Sequence, residues 1–230
     1  MTISDATQTE PADPPIRERI LRAAFDAFMQ LGYAGASTLD IARRARVSKR
    51  DLYAQFGSKQ AMLAACIASR AERMRTPLHL PVPRTRAALT ATLVAFGKQL
   101  LREISCPEVV ATYRLAIVEA ERAPEVARTL DELGRAGTQA ALSELLAGVQ
   151  SAGLLGAGRP HEMAGTFLSL LWRGGLLPRL LLRVMAPPDE AQSEQRAHAA
   201  TAMLLRLYPL PLTQDSKVHR AARGVRGEER

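Results

Sequence analysis

The stretch ARRARVSKRDLYAQF, residues Ala42 to Phe56, packs five basic residues, a serine, an aspartate and two aromatic rings into one short span. Its apolar positions Ala42, Ala45, Val47 and Leu52 suit two short helices that pack at a steep angle across a turn of about three residues, the spacing of a helix-turn-helix. The second helix has a built-in start. Ser48 as N-cap with Asp51 three residues later forms a capping box, which satisfies the unpaired N–H groups of a first turn. Lys49 and Arg50 are thereby left exposed at the N-terminal end, where a recognition helix meets base edges, and Tyr53 follows one turn later on the same side. Leu52 and Phe56, four apart, point inward. Arg46 stands where such a turn ordinarily has glycine; holding it left-handed costs roughly 1 kcal/mol, which a packed domain tolerates.

Working outward, 3.6-residue apolar stripes run almost end to end and no window alternates with period two, so the fold is expected to be all-α. Ile16, Ile20, Ala23/Ala24, Ala27/Phe28 and Leu31 make one face of a first helix that Gly32 stops. Ser37 or Thr38 caps a second helix through about Arg44, Ser48 opens a third that Gly57 closes, and Ser58 opens a fourth with Met62, Leu63, Cys66 and Ile67 inside. The three prolines of TPLHLPVPR, residues 76–84, mark a domain boundary. Beyond it helices are expected at about 84–104, 107–121, 124–152, 160–184 and 188–208, about nine in total. The expected organisation is a leader without regular structure (1–13), an N-terminal domain (14–76), a larger helical domain (84–210) and an aperiodic tail (212–230).

Charge is concentrated where the motif lies. Residues 14–76 hold twelve Arg/Lys against five Asp/Glu, 12 − 5 = +7, whereas residues 77–211 hold fourteen against twelve, and the whole chain is +8. A basic block of domain size points to a polyanion, with nucleic acid ahead of an anionic membrane. The two cysteines, Cys66 and Cys106, fit no metal or redox spacing and read as reduced thiols, Cys66 as core filler. No apolar run approaches the ~18 residues of a membrane span, and the N-terminus lacks the order of a signal peptide, so a cytoplasmic protein is expected. Four scattered histidines, with no HExxH and no phosphate-cradling glycine loop, give an enzyme nothing to work with, and no metal or cofactor is expected.

The run Thr38-Leu39-x-Ile41-Ala42-x-x-Ala45-x-Val47-Ser48-x-x-x-Leu52-Tyr53-x-x-Phe56-x-Ser58-Lys59-x-x-Met62-Leu63 resembles the DNA-binding domain of the TetR/AcrR family of bacterial transcriptional regulators. The match covers about residues 14–74. The resemblance implies a homodimer on a palindromic double-stranded operator, usually a repressor released by a small molecule; an activator or a ligand-independent regulator of the same fold is the alternative. Carried over, Thr38 contacts a phosphate, Ser48, Lys49, Arg50 and Tyr53 supply the recognition-helix contacts, and Lys59 meets a phosphate from the fourth helix. Ser37 and Arg44 complete the candidate set, Arg44 forming with Arg43 a solvated, electrostatically helpful face. Arg46, Gln55 and Gln60 depart from the family pattern, and with no asparagine in the chain adenine readout falls to Gln55 or to DNA shape.

In the second half, ATYRLAIVEAERAPEVARTLDELG, residues 111–134, resembles the AefR-like subgroup of ligand domains, which implies a dimerisation and effector-binding bundle but no particular ligand. A sensor needs an apolar cavity with a few polar groups. Phe96, Leu100, Tyr113, Ile117, Phe167 and Trp172 are the candidate lining, with Arg114 or Glu119 as polar partner, although each also reads as plain core. Met163, Phe167, Leu170 and Leu171 on one helix and Ala197, Thr201, Leu204 and Tyr208 on another are the apolar faces; the resemblance implies that these helices form a two-fold dimer interface. Gly174 and Gly175 either allow close backbone approach or loosen their helix.

Overall fold

The computed structural model describes residues 14–210, and every regular element among them is helical. The leader 1–13 and the tail 212–230 lie outside the described residues. Helix α1, Ile16–Gly35, buries Ile20, Ala23, Ala24, Ala27 and Phe28 of the expected stripe, leaves its two end members Ile16 and Leu31 exposed, and breaks at Gly32, where φ is 74°. Only glycine enters that region without steric cost, so the last turn, residues 33–35, restarts beyond a kink. Helix α2 spans Thr38–Ala45, α3 Lys49–Phe56 and α4 Lys59–Arg75. A single 3₁₀ turn, Thr76–His79, follows before the prolines take over.

Then come α5 (Arg86–Ile104), α6 (Pro107–Val118), α7 (Pro124–Leu130), α8 (Gly137–Ser151), α9 (Pro160–Leu171), α10 (Leu176–Leu181) and α11 (Glu190–Leu207). Two of these divisions differ from expectation. The segment 124–152, expected as one helix, widens to a π-helical turn over Asp131–Ala136, a stretch with no fully buried residue whose Leu133 packs at the edge of the apolar cluster. The segment 160–184 breaks in two because Gly174 and Gly175 take φ of 80° and 69°. Consecutive left-handed residues cannot continue a right-handed helix, so the glycine pair acts here as a turn rather than a close-packing device.

The helices sort into two compact units that interleave in sequence. The first contains the residues up to Arg70 and Glu108–Gly134; the second contains Ala71–Pro107 and the residues from Arg135 onward. The proline-rich segment ends α4 as expected, but it is not where the units divide. The reason is burial. Ala116, Ala123, Val126 and Leu130, from α6 and α7, join Ile20, Phe28, Ile41, Leu52, Met62 and Leu63 in one apolar cluster. Each of the larger side chains, such as Val126 and Leu130, contributes roughly 1.5–3 kcal/mol when removed from water, so this shared cluster outweighs the chain boundary. Cys66 packs against the same cluster with Sγ 3.5 Å from the Leu21 carbonyl, and burial pushes its thiol up to about 12, which keeps it protonated.

In the second unit α11 packs mainly on α5 and also on α9, and α8 packs on α9. Gly97 lets α5 and α11 pack closely: a Cβ there would stand 2.9 Å from that of Ala197. Phe96, the residue before Gly97, stacks on Phe167 of α9 with ring centroids 6.0 Å apart. At the N-terminal end of α5, Arg86 donates to the carbonyls of Leu154, of Leu205 (2.7 Å) and of Tyr208 (3.4 Å), tying off two helix ends with one guanidinium.

Candidate nucleic-acid interface

Helices α2 and α3 owe their positions to their termini. Ser37 caps α2, accepting from the Asp40 N–H at 3.0 Å. At the other end Arg46 takes φ 53° and ψ 48°, its N–H reaching the Arg43 carbonyl at 3.2 Å while the Val47 N–H reaches that of Ala42 at 3.0 Å. This paired closure is a Schellman motif, which a glycine usually serves. Arg46 therefore adopts the left-handed conformation that the sequence requires of it, and the two closing hydrogen bonds offset its strain.

Two residues on, the capping box of α3 is complete. The Asp51 N–H donates to Ser48 Oγ at 3.0 Å, the Ser48 N–H donates to Asp51 Oδ2 at 3.3 Å, and the Ser48 hydroxyl donates to the same oxygen at 2.6 Å. With its proton committed to Asp51, the Ser48 side chain starts the helix and has no donor left for a phosphate.

Beyond the cap, Lys49, Arg50 and Tyr53 are exposed, as expected of a recognition face. Lys49 Nζ stands 5.7 Å from the centre of the Tyr53 ring, a cation–π contact that orders the lysine without consuming its donors. The Tyr53 hydroxyl lies 3.3 Å from Thr38 Oγ1, so the candidate phosphate contact of α2 and a candidate recognition-helix contact of α3 are adjacent. Leu52 is fully buried, and Phe56 is half-buried with the Arg17 guanidinium 5.2 Å from its ring centre. Gln55 is exposed.

The remaining candidates carry structural bonds as well. Arg44 Nε lies 2.7 Å from Asp40 Oδ2 and its Nη1 donates to Gln30 Oε1 at 2.7 Å, so it links α2 to α1. Arg43 pairs with Asp40 at 2.9 Å but stays largely in solvent. Lys59, at the start of α4, points its Nζ at the carbonyls of Tyr33 (2.8 Å) and Ala36 (3.2 Å), with the Tyr33 ring 4.5 Å away. Two of its three protons are thus directed into the protein.

The candidate effector residues are not one set. Phe96, Leu100 and Phe167 are buried in the second unit, where Trp172 is half-buried at the end of α9. Tyr113, Arg114 and Ile117 belong to the first unit, and Tyr113 packs against its apolar cluster. Ile117 is 62% exposed, which removes it from any enclosed lining. The inward stripe of α6 is Val109, Thr112 and Ala116, and Ile117 lies off it. Glu119 also needs correction as a polar partner of a pocket: its carboxylate accepts from the backbone N–H groups of Tyr33 and Ala34. The apolar faces expected to form a dimer contact are largely spent inside the chain. Met163, Phe167, Leu171, Ala197, Thr201 and Leu204 are all buried in the second unit, because α11 turns that side toward α5 and α9.

A capped, basic helix-turn-helix joined to a second helical unit is also what comparison with known proteins returns. Residues 20–66 match the bacterial regulatory proteins of the tetR family, and residues 91–209, more than half of the chain, match the C-terminal domain of AefR-like transcriptional repressors. The chain belongs to the TetR family. The solved structure of a flavonoid-responsive regulator, FrrA, is similar at 32% identity over 86% of this chain and 98% of its own, with a TM-score of 0.68. A TetR regulator from Agrobacterium tumefaciens superposes with a TM-score of 0.70 at 26% identity, covering 86% of this chain and 96% of that one. An HTH-type transcriptional regulator of Bacillus subtilis, YvkB, is 26% identical over 182 residues, 78% of this chain and 92% of the relative.

As a TetR-family protein the chain is a DNA-binding transcriptional regulator, and α2 and α3 are its helix-turn-helix. Its family and fold neighbours are regulators and not enzymes. Among the described residues no helix is long and apolar enough to cross a membrane.

Proposed function

We propose that this TetR-family regulator is a cytoplasmic repressor that binds a palindromic operator as a homodimer and is released by a small, largely apolar effector. The presentation of Lys49, Arg50 and Tyr53 from one capped helix carries the DNA half of this reading. Lysine and arginine bond guanine O6 and N7 in the major groove, and the Thr38–Tyr53 hydroxyl pair suits a flanking phosphate. A two-fold operator follows from a two-fold protein, with half-sites about 34–36 Å apart. Met203 and Leu207, four apart on α11 and 40% and 59% exposed, supply apolar surface for an isologous contact in place of the faces used internally.

The effector half rests on composition and likeness. The stacked Phe96–Phe167 pair is fully buried, so an effector that meets it does so inside the apolar core of the second unit. FrrA, the 32% identical relative, is named as flavonoid-responsive, so planar polyphenols are the first effectors to test. An effector releases DNA only through its different affinities for the bound and free conformations. Operator occupancy measured by fluorescence anisotropy against a series of flavones and flavanones should fall saturably with one member of the series. Occupancy that no member changes would remove the planar polyphenol from this reading.

A further inference from the structure

The five residues from Gly32 to Ala36, the kinked last turn of α1 and its exit toward α2, are gripped from both ends. At Gly32 the helix breaks with φ 74° and ψ 168°, and a short turn restarts at Tyr33. Restarting a helix exposes N–H groups that have no carbonyl one turn earlier. The N–H groups of Tyr33 and Ala34 are two of these, and both donate to one carboxylate oxygen, Oε1 of Glu119, at 3.0 and 3.3 Å. Glu119 is only 7% exposed and follows directly on the end of α6. Its position is itself fixed, because its own carbonyl accepts from the N–H groups of Arg122 (3.0 Å) and Ala123 (2.7 Å).

The opposite end of the turn is held by a cation. Lys59 Nζ donates to the carbonyls of Tyr33 and Ala36 at 2.8 and 3.2 Å. Negative charge on the N–H side and positive charge on the carbonyl side both complement the peptide dipoles of the turn. Gly32 is needed twice over: for its positive φ, and because a Cβ there would stand 3.0 Å from Glu119 Oε1.

The sequence positions of these contacts give them their meaning. Ala36 directly precedes Ser37, the cap of α2, and Lys59 directly follows Ser58, beyond the end of α3. The Lys59–Ala36 bond therefore closes the helix-turn-helix into a ring, and Glu119, some eighty residues away in sequence, locks the joint at which the ring is closed. We propose that Glu119 is a positioning residue for DNA recognition, which sets the entry angle of α2 and with it the placement of Thr38, Tyr53 and the α3 face. The proposal rests on the reading that α3 binds a specific operator. Glu119 touches no DNA in this scheme and lies within the part of the chain matched by the ligand-domain family, although it acts in the first unit.

The test uses the full-length protein with three substitutions, its preferred operator and a random duplex, at a temperature where circular dichroism shows all variants folded. Glu119→Ala leaves two N–H groups without their acceptor and should lower operator affinity by about tenfold. Affinity for random DNA and the slope of affinity against salt should stay as in the wild type, because no cation facing DNA has been removed. Glu119→Gln keeps an acceptor oxygen and should restore most of the loss. Glu119→Asp, which remains charged but withdraws the carboxylate by one methylene, should weaken operator binding in the same direction and serves if the alanine variant does not fold. Amide exchange at Tyr33 and Ala34 should quicken in step with the loss. Equal losses on operator and random DNA, or full operator affinity in a folded Glu119→Ala or Glu119→Asp protein, would overturn the proposal. A wild-type protein that does not distinguish any duplex from random DNA would instead remove the DNA reading on which it stands.

Discussion

In the proposed reading Lys49 is the residue on which sequence readout most depends, since it stands at the exposed end of α3 beside Tyr53 with its donors still available. Truncating a side chain that bonds a base edge typically costs ~1–3 kcal/mol on the specific site, whereas losing a phosphate contact weakens all sequences alike. Lys49→Ala should therefore weaken operator binding more than random-duplex binding in parallel titrations. Equal losses would make it a backbone contact. Other candidates divide by what their donors already do. Ser48 has given its proton to Asp51, Arg44 bridges Asp40 and Gln30, and Lys59 directs two protons at carbonyls. Ser48 and Asp51 were legible in the sequence because a capping box is local, three residues apart, and needs no tertiary partner. Glu119 was not: its partners lie 86 and 85 residues away, and nothing in its neighbours distinguishes a carboxylate bound to backbone from one facing a pocket.

Among elements, the breaks that follow from backbone chemistry are those a sequence states plainly. Gly32 ends the main run of α1, Ser37 and Ser48 start α2 and α3, and Gly57 closes α3 with φ 71°. What the pattern leaves out is how faces are shared. The stripe on α11 was readable as apolar, but not whether it meets another chain or α5, since both partners demand the same residue types. The contact at Gly97 decides for α5. Because a Cβ there would lie 2.9 Å from the Ala197 Cβ, Gly97→Ala should overpack the α5–α11 crossing and cost about 1–3 kcal/mol in urea unfolding. Adding Ala197→Gly should recover part of that loss. A Gly97→Ala protein as stable as the wild type would mean that the two helices separate there at little cost. The π-helical turn at Asp131–Ala136 was not read from the sequence, for it is a single widened turn inside an otherwise helical run.

For the whole molecule, the division of charge anticipates the division of labour. Nearly all of the excess, +7 of +8, lies in residues 14–76, the part that contains the helix-turn-helix. Residues 77–211 are close to neutral by comparison, and the second unit devotes its apolar residues to packing α5, α8, α9 and α11 together. A chain-order boundary at the proline-rich segment describes that charge division well. It misses that α6 and α7 belong to the first unit, because covalent order does not record which core a later helix completes.

The central claim, that this basic helix-turn-helix reads a two-fold DNA site, is tested most directly by measuring duplex affinity against salt for a selected palindrome and for a scrambled duplex of equal length. Neutralising several phosphates makes log affinity fall steeply and linearly with log salt on both, while base-edge contacts keep the palindrome tighter throughout. A steep slope with one preferred palindrome is the predicted result; weak, salt-indifferent binding, or equal affinity for every duplex, would contradict it.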